Sequence, residues 1–201
     1  MISIEFLLAS LVVVLIPGTG VIYTISIGLT KKRDSSTFAA LGCTFGIVPH
    51  IILSILTITL LLNINEILFI SIKYLGITYI LYLAYLLWND KGVMKLNKDD
   101  TLNENKEIFI KGFLINILNP KLTIFLVSFL PQFILTSTNT VVSDILILSS
   151  IFMFMTLLVF TIYGLCAKYL KSKLLNNDNK IRGVQRTFAL FFVLLSVVLI
   201  H

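Results

Sequence analysis

Lys121 stands in "NILNPKLTIF", the middle of an apolar block running from about residue 109 to 135. It lies about a dozen residues from either end, about 18 Å at 1.5 Å per residue, farther than a lysine stem can snorkel. An ionisable group at membrane depth is a functional candidate that must face a cavity or a partner. Pro120 precedes it, with Asn119 directly before the proline and Asn116 one turn before it. Proline removes a backbone donor and frees the carbonyl four residues earlier, so the helix kinks or unwinds. In hydrocarbon the freed groups need protein, water or ligand to satisfy them.

A second interruption has the same character. "IPGTG", with Pro17, Gly18 and Thr19, lies inside the uncharged run Phe6–Thr30. Two half-helices that restart after such breaks offer unpaired amides and a positive dipole end, which suit a carboxylate. The chemistry is therefore recognition of an anionic or zwitterionic small molecule. No carboxylate lies deep in any apolar block, which argues against a cation channel or metal transporter. No metal, cofactor or catalytic set is expected. "GTG" at Gly18–Gly20 opens a dinucleotide fingerprint, but Tyr23 stands where its third glycine belongs. His50, after Pro49, is a candidate for proton relay or substrate contact; an interhelical hydrogen bond explains it equally well.

The elements that position these groups are membrane helices. The chain is 57% hydrophobic and 13% charged, with mean hydropathy +0.98, too little charge for the surface of a soluble domain of 201 residues. Six spans are predicted, at about 4–30, 36–62, 67–88, 109–135, 145–167 and 183–200. The first is read as retained rather than as a signal peptide, for it lacks a basic leader and a cleavage pattern. Lys73 reads as an interface anchor; Tyr79, Tyr82, Tyr85 and Trp88 read as packing and belt residues. Cys43 and Cys166 read as two buried small hydrophobes with no disulfide.

Three alternate loops hold 14 of the 16 basic residues: "KKRD", the connection with Lys91 to Lys111, and the one with Lys168 to Arg186. By the positive-inside rule these loops are cytoplasmic and both termini lie outside. The polar stretch 89–108 reads as a flexible cytoplasmic linker. It divides one transporter domain, 1–201, into half-repeats 1–88 and 109–201. Each half starts on the opposite side of the membrane, as an inverted repeat requires, and each has its first span broken by proline. The expected fold is all-α, with two inverted three-helix repeats and broken first and fourth helices.

Three stretches and the chain's end resemble the lysine exporter (LysE/RhtB) family of bacterial amino-acid exporters. They are "LIPGTGVIYTISIGLTKKRDSSTFAALGCTFG", "IKYLGITYILYLAYLLW" and "KGFLINILNPKLTIFLVSFLPQF", together with the basic-then-apolar C-terminal segment. The resemblance implies a six-span exporter in the bacterial cytoplasmic membrane, able to form a homodimer. It would move amino acids outward by alternating access with proton exchange. Two positions depart from the family pattern. Thr19 replaces the second proline of Pro-Gly-Pro, and Gly46-Ile47-Val48-Pro49-His50 lacks the acid of Gly-Asp-x-x-His. The missing carboxylate counts against cationic substrates, so neutral amino acids are favoured, and it removes one group that proton coupling would use. An uncoupled channel or lipid-handling membrane protein is the alternative class.

Overall fold

In the computed structural model residues 2–16, 18–31, 33–64, 66–89, 104–134, 140–170 and 178–200 are described. Pro17 and most of the central linker lie outside the described residues, as do the side chains of Lys73, Pro120 and Lys121. The helices, in chain order, are α1 (Ile4–Leu15), α2 (Thr19–Thr30), α3 (Arg33–Phe45), α4 (Val48–Ile64) and α5 (Glu66–Asn89). After the linker come α6 (Asn105–Ile117), α7 (Pro120–Phe129), α8 (Val141–Leu165), α9 (Ala167–Leu170) and α10 (Asp178–Ile200). A 3-10 turn, Leu130–Phe133, follows α7, with Pro131 in its first turn. No strand occurs among the described residues.

Two stretches are long and apolar enough to cross a membrane alone, Asp34–Leu60 and Val141–Leu165. Two bent pairs raise the count to four: Ile4–Leu15 with Thr19–Thr30, at 53°, and Asn105–Ile117 with Leu122–Phe133, at 57°. α5 and α10 have 24 and 23 residues, about 35 Å each at 1.5 Å per residue. Apolar side chains cover the outside as well as the core; Leu56, Leu60, Phe154, Leu158 and Leu194 are all exposed. A helix set that is apolar all round needs lipid as its solvent. This is a multi-pass membrane protein.

The middle of the bundle is built on backbone contact. α3 packs on α6 and α8, and α2 on α8; α5 lies against α10 and α7. "GCTFG" places Gly42 in α3 and Gly46 in the turn that follows it, four residues apart, and both meet α6. A Cβ on Gly46 would sit 2.7 Å from the Phe113 carbonyl oxygen and 2.8 Å from Asn116 Cβ. One on Gly112 would sit 2.9 Å from the Ala39 oxygen. Small residues let membrane helices approach this closely, and the approach carries Asn116 to the end of α3.

Candidate functional site

At the first break α1 ends with Leu15, and Ile16 turns into an extended conformation. The helix stops there, so the Leu15 carbonyl has no partner within α1. The Tyr163 hydroxyl of α8 donates to it at 2.8 Å. α2 then starts from Gly18, whose backbone is extended and which supplies no side-chain cap. The first amides of α2 are therefore not bonded by a capping side chain, an arrangement that suits an anion.

The second break follows from Pro120. Lacking an N–H, it leaves the Asn116 carbonyl without its helical donor. His50 Nε2 lies 2.9 Å from that oxygen, and the Asn119 amide also turns back to it at 3.0 Å. A carbonyl only accepts, so Nε2 carries the proton of this bond. In the neutral ring Nδ1 is then an acceptor, and the Thr123 hydroxyl donates to it at 2.7 Å. His50 is buried, and its two ring nitrogens tie α6 to α7 across the break.

His50 reaches this place through a third interruption. α3 stops at Phe45, Gly46 and Ile47 form a turn, and α4 restarts at Val48. The Ile47 amide bonds Thr44 O at 3.0 Å instead of continuing to Cys43 O. The Cys43 carbonyl is taken by Asn116 Nδ2 at 2.7 Å. Pro49, in the first turn of α4, suits a helix start rather than a kink, because its missing N–H would have no helical acceptor there. The two interruptions brace each other: Asn116 satisfies the one in the second span, and His50 satisfies the one beside Asn116.

Both broken helices border one cavity of about 40 Å³. Gly18 and Gly20 come from the first break, Asn116 and Asn119 from the second. Val14, Leu122, Phe152 and Phe160 form apolar walls, and Thr156 adds a hydroxyl-bearing side chain. A Cβ on Gly20 would lie 2.8 Å from both Asn116 Oδ1 and Phe160, so α2 comes this near only as glycine. Asn119 Nδ2 donates to the Thr19 hydroxyl over 3.4 Å, a long bond that links the two breaks directly. The volume holds a few waters, at roughly 10–15 Å³ each, and is too small for an amino acid.

Of the residues singled out from sequence, Gly18, Asn116 and Asn119 line the cavity, and Thr19 touches it through Asn119. His50 stands behind it, bonded to Asn116. Pro17 and the side chains of Pro120 and Lys121 lie outside the described residues. Tyr163 and Thr123 were not anticipated; their only signal is a hydroxyl-bearing residue within an apolar span. One expectation is corrected: Cys43 is buried, but Cys166 is exposed at the turn between α8 and α9. Neither cysteine forms a disulfide.

A family model described as LysE type translocator matches residues 11–201. The chain is 32% identical to an uncharacterized membrane protein of Vibrio cholerae over 131 residues, 65% of this chain and 64% of that protein. It is 24% identical to a homoserine/homoserine lactone efflux protein of Salmonella typhi, covering 96% of this chain and 93% of the relative. It is 27% identical to a leucine efflux protein of Enterobacter sp. (strain 638), covering 84% and 82%. No solved structure matches.

Proposed function

The chain belongs to the LysE type translocator family, and from that premise we propose that it exports amino acids across the bacterial cytoplasmic membrane. It is a transporter and not an enzyme. One observation carries the proposal: two bent spans meet at one cavity, where the N-terminus of α2 faces Asn116 and Asn119. The α2 amides and Lys121, the second residue of α7, receive the substrate carboxylate. Asn116, Asn119 and Thr19 supply polar contacts, while Pro17, Gly18 and Pro120 keep the helices open.

Neutral substrates fit the walls best. The described lining is apolar, with amide and hydroxyl groups and no carboxylate to pair with a cationic side chain. Homoserine and leucine, named for two relatives, both have uncharged side chains.

The cavity is too small for such a ligand, so transport needs the surrounding helices to part. The packing supports movement of two inverted halves, with spans α1–α2, α3–α4 and α5 exchanging with α6–α7, α8 and α10. Span by span, the contact of α3–α4 with α6–α7 becomes that of α8 with α1–α2, and that of α5 with α6–α7 becomes that of α10 with α1–α2. The bond from Tyr163 to Leu15 likewise becomes the bond from His50 to Asn116. Proton coupling falls to His50. A protonated ring donates from both nitrogens, so the Thr123 hydroxyl must turn from donor to acceptor, changing the tie to α7.

Cells loaded with dipeptides and expressing this chain should release neutral amino acids faster than cells without it. Lys121→Ala should abolish that release at unchanged expression and folding; normal efflux from this variant would refute the assignment of Lys121. Voltage-driven, pH-independent flux in proteoliposomes would instead identify an uncoupled channel.

A further inference from the structure

Away from the central cavity, α5 and α10 run antiparallel and leave between them a groove of about 370 Å³. Leu81, Ala84 and Trp88 line it from α5, and Ala189, Leu190 and Val193 from α10. The two alanines leave room where larger side chains would close the seam. At one mouth the Arg186 guanidinium lies 5.3 Å from the centroid of the Trp88 ring. Arg182, four residues before Arg186, shares that helix face, and both arginines are exposed. Among the residues whose side chains are described, neither has a carboxylate partner.

We propose that this groove binds an anionic phospholipid, its phosphate held by Arg186 and Arg182 and an acyl chain lying along the apolar seam. The proposal rests on the chain being embedded in a membrane and on the groove's basic end lying at an interface. It does not depend on which solute is exported. Trp88 is in the last turn of α5, where an interfacial tryptophan belongs, and a basic pocket between membrane helices suits an anionic headgroup. Arginine is the side chain fitted for phosphate, through paired N–H donors. A second copy of this chain fits the groove less well: a two-fold contact centred there would bring two arginine pairs together.

Trp88 is the only tryptophan in the chain, so its fluorescence reports this groove alone. The protein is reconstituted with phosphatidylglycerol or phosphatidylcholine brominated on the acyl chain near the headgroup, at equal low mole fractions. Brominated phosphatidylglycerol should quench Trp88 at lower mole fraction, with a preference of about fivefold for each arginine. Arg186→Gln with Arg182→Gln should reduce its quenching to the phosphatidylcholine level. Arg182→Gln alone keeps the stacked Arg186 and should give an intermediate preference, which separates lipid binding from misfolding. Equal quenching by the two lipids in the unaltered protein would overturn the proposal. Quenching by neither would also overturn it, and would mean that another chain covers Trp88.

Discussion

The breaks after Leu15 and after Ile117 bend the chain by similar angles, 53° and 57°, yet different chemistry closes them. At the first, a tyrosine from α8 holds the stray carbonyl. At the second, a histidine from the start of α4 does so, and its other nitrogen binds Thr123. The phenol makes one bond to one half-helix, whereas the imidazole bonds both half-helices that flank its break. The first break therefore has a single brace and an uncapped helix start, an arrangement that suits an anion. The second is braced from both sides, and under the proposed proton coupling that brace changes state. The two breaks are alike in shape and unlike in what can act on them.

The largest test removes the support beneath the second break. Gly46→Leu forces a side chain into the Phe113 backbone and Asn116, and should leave no monodisperse protein on size-exclusion chromatography. A folded, active Gly46→Leu would mean that the close α3–α6 crossing does not place Asn116. Asn116→Ala keeps the carbonyl that His50 uses but strips the amide from the cavity and from Cys43 O. Efflux should fall at least about tenfold and stability by about 1 kcal/mol; efflux assays and thermal unfolding measure the two.

His50→Gln retains a donor for Asn116 O and removes the imidazole to which proton coupling is assigned. The pH dependence of export between about pH 5 and 8 should flatten, with the protein still folded. An unchanged pH profile would remove His50 from coupling. The smallest change is expected from Tyr163→Phe, which leaves Leu15 O unbonded for a loss of about 0.6 kcal/mol, at most about 1.7. Its pH profile should keep the shape of the parent's. If Tyr163→Phe flattened the profile as His50→Gln does, the proposed distinction between the two braces would fail.

Much of the architecture was legible in the chain. Long apolar runs, the basic loops and the prolines located the helices and the breaks at Pro17 and Pro120. Helix length and proline chemistry are local properties, so a single sequence carries them. The predicted third span, 67–88, differs by one residue at each end from Glu66–Asn89. The interruption at Gly46 and Ile47 was not legible, because Pro49 resembles a mid-span kink until the helix is seen to restart at Val48. Asn116 and Asn119 stood out beside a proline, but the cross-helix partners Tyr163 and Thr123 did not.

The sequence by itself determined that this chain lives in a membrane, where its helices must break, and which family it resembles. Apolar run length, charge asymmetry and the missing N–H of proline act over a few residues, whatever the rest of the chain does. Only the tertiary structure decided how the breaks are closed: Tyr163 on Leu15, His50 on Asn116, and Asn116 on Cys43. Each of these bonds joins residues more than 60 positions apart. Each exists because glycine-lined crossings bring backbones together in a solvent that cannot satisfy a stray carbonyl.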